Sequence, residues 1–218
     1  MLSGIIAAWR EVKSIVASLA ALSMLAALGK RRWLSLLPLT LLGWVFYFFR
    51  DPDRRPEVSG DEWILAPADG VITQIDTVDE AHFFNIPVQR IVIFLSIFNV
   101  HVQRAPYAGR VQFLRYQQGG FAPAFLKSAQ ENESNFIGLS TARGKLALKQ
   151  MTGILARRIV CWVEDGDDLS AGQRVGLIKF GSRVDLFLPL NVEITARAGQ
   201  KVRGGQTVVA RWREIENQ

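Results

Sequence analysis

Cysteine is almost missing from this 218-residue chain, where Cys161 stands alone. One thiol cannot close an intrachain disulfide, and it cannot supply a structural zinc–thiolate site. Histidine is nearly as scarce, with His82 and His101 only, which leaves little room for a histidine-rich metal centre; no metal is expected. Long hydrophobic runs are also lacking. The apolar stretches Ser14–Gly29 and Trp33–Phe49 hold 16 and 17 residues. As helices they extend roughly 24 and 26 Å, slightly short of a hydrocarbon core about 30 Å thick. Low apolar content, the mark of disorder, is absent too: 49% of residues are hydrophobic, 21% are charged and the mean hydropathy is +0.14. The apolar excess is confined to one end, which excludes a multi-span transporter.

The net charge is +6, and its placement matters more than its size. Residues 1–60 carry eight of the basic residues against Glu11, Asp51, Asp53 and Glu57. The cations bracket the two apolar runs: Lys13, Lys30, Arg31, Arg32 and Arg50. That pattern suits an anionic membrane surface better than nucleic acid. The second run contains Pro38 and ends in Trp44, Phe46, Tyr47, Phe48 and Phe49, aromatics that favour the membrane interface. If both runs crossed, the connector 29–32 would face away from the other basic flanks, against the positive-inside rule. Residues 1–49 are therefore expected to form a hydrophobic helical hairpin that dips into one leaflet, with its basic flanks on the cytoplasmic face of the inner membrane.

From residue 50 onward the character changes. Trp63–Leu65, Gly70–Ile75, Arg90–Ile97, Val100–Gln103, Arg110–Tyr116 and Ile159–Val163 are short and rich in Val, Ile and aromatics. Gly, Pro, Asp or Asn bounds them, so they predict strands and turns. Residues 121–134 are polar and irregular and predict a surface loop that covers a site. Residues 168–176 and 198–206 echo each other, each with a Gly-Gln pair followed by Val and then Gly. This is the rhythm of small sandwiched barrels that hold lipoyl or biotinyl groups. A swinging-arm carrier needs a lysine at its hairpin tip, and Gly181-Ser182 stands at the corresponding sharp place. The fold class expected is mainly β (α+β): a barrel-sandwich, lipoyl-like β domain, residues 50–218, preceded by the N-terminal hairpin.

Three segments carry candidate chemistry. Ala66-Pro67-Ala68-Asp69-Gly70 places an acid at a tight turn, which is also the commonest use of an Asp-Gly pair. Ser96 to Pro106 places His101 inside an apolar strand, where a structural histidine would equally sit. Ile178 to Asp185 places Gly181-Ser182 in a bend between strand-like flanks. Glycine there leaves the preceding carbonyl open to the Ser182 hydroxyl, as an intramolecular N-to-O acyl shift requires. Such a shift needs a base, for which a neutral imidazole is best suited near pH 7. A carboxylate that orients the imidazole completes the triad logic. His101 and Asp69 could supply these two roles, although spacing alone does not bring the three residues together.

Taken together, Phe48–Pro56 (FFRDPDRRP), Ala66–Gly70 (APADG), Phe98–Pro106 (FNVHVQRAP) and Lys179–Asp185 (KFGSRVD) resemble the phosphatidylserine decarboxylases, in their short form with a Gly-Ser processing site. The likeness runs from about Phe48 to Trp212. It implies a proenzyme that cleaves itself between Gly181 and Ser182, giving chains 1–181 and 182–218 that stay associated. It implies a triad of Asp69, His101 and Ser182, and a pyruvoyl group made from Ser182 with no external cofactor. That group would decarboxylate phosphatidylserine, held in an anionic membrane, to phosphatidylethanolamine through a Schiff base. Two positions depart from the family pattern. Val102-Gln103-Arg104 stands where larger bacterial members carry a second histidine, and Ser134 replaces an arginine in Glu131–Asn135. No nucleic-acid partner is expected, and a homodimer is left open. Two alternatives remain from the sequence: a pyruvoyl decarboxylase for another amino-acid-headed lipid, and a non-catalytic membrane-anchored barrel adaptor.

Overall fold

A computed structural model describes residues 11–120, 131–153, 158–179 and 182–213. The chain divides into two compact units, Met1–Pro52 and Asp53–Gln218.

In the first unit, α1 (Lys13–Leu28) and α2 (Leu36–Phe48) are joined by a 3-10 turn at Arg32–Ser35. Ala and Leu, strong helix formers, dominate α1. The helix stops at Gly29, whose backbone is extended. Pro38 falls in the first turn of α2, where its missing N–H removes no intrahelical bond. The two helices and the turn between them leave large apolar side chains exposed, among them Leu25, Leu28, Trp33 and Leu37. Among the described residues, no helix is long and apolar enough to cross a membrane.

The second unit is mainly β. One eight-stranded sheet runs in the order β13-β2-β3-β11-β7-β6-β5-β9 and curls into a half-barrel. Its strands are β2 (Gly70–Glu80), β3 (Ile86–Leu95), β5 (Gly109–Gln117), β6 (Ser134–Thr141), β7 (Gly144–Thr152), β9 (Asp168–Leu169), β11 (Ser182–Leu188) and β13 (Lys201–Val202). Two three-stranded sheets complete the unit. One contains β1 (Trp63–Leu65), β14 (Val208–Trp212) and β12 (Val192–Ile194). The other contains β4 (Val102–Arg104), β10 (Arg174–Lys179) and β8 (Arg158–Cys161).

Alternation along the central strand β11 sorts the sheet into two faces. Val184, Leu186 and Leu188 join Ile91, Ile93, Leu95, Leu146 and Leu148 in the main core. Phe187 joins Phe83, Phe84, Phe136 and Ala147 in a smaller cluster on the other face. Full burial of each such aliphatic side chain contributes about 1.5–3 kcal/mol, so the core holds β11 firmly between its neighbours.

The echo at 168–176 and 198–206 is one turn used twice. Gly172 and Gly199 take positive φ, 76° and 84°. The Gln173 side chain accepts the Ser170 N–H at 3.0 Å, and the Gln200 side chain accepts the Arg197 N–H at 3.1 Å. Each turn then feeds a strand, β10 or β13.

Several boundaries differ from those expected. The strand expected at Gly70–Ile75 continues to Glu80, and that expected at Val100–Gln103 begins only at Val102. The strand expected at Arg90–Ile97 runs instead from Ile86 to Leu95, where the Asn99 side chain accepts the Ser96 N–H and closes a turn. Of the loop expected at 121–134, residues 121–130 lie outside the described residues. Its end is not at the surface: Asn132, Glu133 and Ser134 are buried.

Candidate active site

Ser182 opens β11, paired with Leu95 of β3 on one side and Thr152 of β7 on the other. It lies on the core face, fully buried. Its hydroxyl makes no hydrogen bond among the described residues. A buried hydroxyl without a partner costs free energy, so a polar group in that position calls for an explanation. Gly181 lies outside the described residues.

His101 stands between the Ser96–Asn99 turn and β4, with no solvent exposure. Its backbone carbonyl accepts the Ile178 N–H at 3.2 Å. Ile178 is four residues before Ser182, so Ser182 lies within a chain reach of about 13 Å of the residue bonded to the His101 carbonyl. The ring Nδ1 lies 2.9 Å from the Asn99 carbonyl oxygen. That oxygen can only accept, so Nδ1 carries the proton, and in the neutral ring Nε2 keeps the lone pair.

Asp69 precedes β2. Its side chain is buried and bidentate to Arg54: Arg54 Nη2 donates to Oδ2 at 2.8 Å, and Nη1 donates to Oδ1. The Gly204 N–H also donates to Oδ1, at 2.9 Å. The following glycine is required by close approach, because a Cβ at Gly70 would lie 2.2 Å from the Phe94 carbonyl oxygen. The Asp-Gly pair is thus more than a turn: it lets β2 press against β3. Val71 pairs with Phe94 and Ser182 with Leu95, so the two strand ends flank β3, roughly 10 Å apart. Asp69, Ser96 and Asn99 line one cavity of about 550 Å³. The sequence-predicted carboxylate therefore shares a cavity with Asn99, while the partner observed at His101 Nδ1 is the Asn99 carbonyl.

Sequence reasoning missed a line of buried amides beside this site. Asn135 Nδ2 donates to Gln150 Oε1 at 2.9 Å, and Gln150 Nε2 donates to Gln103 Oε1 at 2.8 Å. Gln103 Nε2 then donates to the His101 carbonyl at 2.7 Å. All three donors point the same way, which reinforces each bond. Gly176 leaves the room, since a Cβ there would meet the Gln150 amide at 2.8 Å. Beside Ser182, Thr152 donates its hydroxyl to the Glu133 carbonyl at 3.2 Å, and its own carbonyl accepts Asn132 Nδ2 at 2.7 Å. Arg54 and Asn99 were also passed over as partners; the only signal for them was their place inside the motifs FFRDPDRRP and FNVHVQRAP.

The opposite face of the sheet carries a separate charged cluster. Arg183 is bidentate to Asp185, at 2.6 and 2.7 Å, and Arg90 is bidentate to Asp76, at 2.9 and 2.6 Å. The Arg90 hydrogen bond holds the Asp76 carboxyl below its ordinary value. Burial, aided by repulsion from Arg183 and Arg90, pushes the Lys149 ammonium down. His82 belongs to this side, with Nδ1 2.8 Å from the Arg115 guanidinium.

The chain matches the family model for phosphatidylserine decarboxylase over residues 41–210. A phosphatidylserine decarboxylase proenzyme of Carboxydothermus hydrogenoformans is 44% identical over 88% of this chain and 92% of its own length. The proenzyme of that name from Desulfotalea psychrophila is 41% identical over 92% of this chain and 94% of its own. That of Magnetococcus marinus is 42% identical over 81% and 82%. With a family match over most of the chain and near full-length likeness to these proenzymes, the chain belongs to the phosphatidylserine decarboxylase family and is a decarboxylase, a carboxy-lyase.

Proposed function

We propose that this protein is made as a proenzyme that cleaves itself between Gly181 and Ser182 and then converts phosphatidylserine to phosphatidylethanolamine. The observation that carries the reading is the Ser182 hydroxyl, buried and without a hydrogen-bond partner among the described residues. A nucleophile kept dry and unbonded has lost the hydration that would quench it.

In the proposed processing step, His101 Nε2 takes the Ser182 proton as general base. The Ser182 oxygen closes on the Gly181 carbonyl carbon, the peptide C–N bond opens, and the acyl group moves from nitrogen to oxygen. Loss of the Ser182 α-proton then expels the Gly181 carboxylate. Hydrolysis of the resulting dehydroalanine releases ammonia and leaves a pyruvoyl group at position 182. Asp69 is assigned as the third member of the triad. For it to touch the imidazole at Nδ1 it must displace the Asn99 carbonyl, and Asp69 and Asn99 line one cavity.

Ser182 fits as the source of this group, because β11 pins its backbone on both sides while its side chain stays unengaged. Once formed, a pyruvoyl carbonyl supplies an electron sink for loss of carbon dioxide from an amine-bearing substrate. The work of this chain's own residues is then to exclude water from the buried pocket. His101 Nε2 holds the proton to be delivered after carbon dioxide leaves. The two products, 1–181 and 182–218, are expected to stay associated, since the cut falls at the head of a strand paired along its length with β3 and β7.

We further assign residues 50–218 to a barrel-sandwich, lipoyl-like β domain, supported by the repeated Gly-Gln turn. Residues 1–49 are assigned to a membrane-associating hairpin at the cytoplasmic face of the inner membrane, supported by their exposed apolar side chains and basic flanks. Mass measurement of the purified full chain, beside Ser182→Ala, tests the central step. Two polypeptides from the wild type and one from the variant are expected. A wild-type chain that stays whole and still decarboxylates phosphatidylserine would refute it.

A further inference from the structure

The cavity of about 550 Å³ shared by Asp69, Ser96 and Asn99 is walled on its other side by Lys201, Arg203, Glu57 and Thr207. Its size suits a small polar ligand. Ser96 directly follows Leu95, the cross-strand partner of Ser182, and the Asn99 carbonyl holds His101 Nδ1. The cavity is therefore lined by Asp69, the acid of the proposed triad, and by close chain neighbours of Leu95 and His101.

Its charges do not cancel. Asp69 is neutralised by Arg54. Glu57 is exposed and accepts the Thr207 hydroxyl at 3.3 Å. Lys201 and Arg203 are both exposed, and neither side chain has a hydrogen bond or ion pair among the described residues. The backbone around them is fixed: Lys201 pairs with Val71 on β2, and the Arg203 N–H donates to Thr207 Oγ1 at 3.1 Å. Two cations with free donors thus face the cavity from a rigid strand and turn.

We propose that Lys201 and Arg203 form the headgroup subsite, binding the phosphodiester and carboxylate oxygens of an amino-acid-headed phospholipid; this rests on the function proposed above. The electrostatics also give the site a direction. A serine phosphodiester headgroup carries two negative charges and one positive. Loss of the carboxylate as carbon dioxide leaves a headgroup with no net charge. Substrate gains from both cations, and product keeps only the phosphodiester contact, so the subsite favours substrate and releases product.

The test compares the full-length wild type with a Lys201→Gln/Arg203→Gln variant, both substitutions lying at exposed positions. Self-cleavage, followed on gels, is expected to be unchanged, because neither residue takes part in it. The KM for phosphatidylserine in mixed micelles is expected to rise by about tenfold or more, with kcat within about twofold, as loss of charge-assisted hydrogen bonds predicts. Water-soluble glycerophosphoserine is expected to inhibit the wild type competitively and to lose about tenfold in the variant. Unchanged KM and inhibition constants in the variant would overturn the subsite. So would weaker sedimentation with anionic vesicles alongside unchanged inhibition by glycerophosphoserine, because the cations would then act on the membrane surface. A wild type that fails to decarboxylate phosphatidylserine at all would instead sink the proposed function, and this subsite with it.

Discussion

The Asn99 carbonyl settles a question of proton placement at His101. By accepting from Nδ1 it leaves Nε2 as the basic nitrogen of the neutral ring. His101→Ala is therefore expected to slow self-cleavage by about 100-fold or more, the usual worth of a positioned general base. The rate is read from the appearance of the 182–218 fragment on gels. His82→Ala is expected to cleave as the wild type does, because His82 sits on the other side of the sheet against Arg115. The reverse pattern would reassign the base. Asp69→Asn is expected to slow cleavage as well, since an amide cannot stabilise an imidazolium as a carboxylate does. Asp69, His101 and Ser182 could be named as candidates from the sequence because each stands in a short motif of the family pattern. The partners Arg54 and Asn99 were not, because their roles come from folding distant segments together: Arg54 meets Asp69 and Gly204 only in three dimensions.

At the scale of elements, the strands richest in Val and Ile were legible and β6 and β7 were not. Their core-facing positions include Asn135, Gln150 and Thr152, polar groups that break the apolar alternation by which a strand is read. Those same residues build the amide line to His101. Gln150→Leu keeps the volume but strands the Gln103 oxygen and the Asn135 amide, at about 1–3 kcal/mol each. A lower melting temperature in a Ser182→Ala background and slower cleavage in the Ser182 chain are expected. Unaltered values for both would show that the line is idle. The other face of the sheet gives a pH prediction. The Lys149 pKa is lowered in the folded protein, so the unfolded chain binds more protons between the two values. The stability penalty from Lys149 is thus full below the folded pKa and fades as pH rises through that window. Lys149→Met is expected to raise the melting temperature at pH 7 and to narrow its advantage toward pH 10. An equal advantage at both values would rule out the charge as the cause.

Across the whole molecule, the proposed chemistry lies in the β-rich unit and the exposed apolar surface of α1 and α2 in the other. Deleting residues 1–47 is expected to give a more soluble protein that still cleaves itself. Fractionation with membranes as strong as that of the full chain would contradict the anchor assignment. The central claim is that the chain converts its own Ser182 into the reactive group, and the mass of the purified, active full-length protein tests it most directly. The account predicts two polypeptides, 1–181 and 182–218, the second blocked to Edman degradation by a pyruvoyl group at its N-terminus. It also predicts a single inactive chain for Ser182→Ala. An active Ser182→Ala protein, or a wild type that decarboxylates fully while remaining one chain, would contradict it.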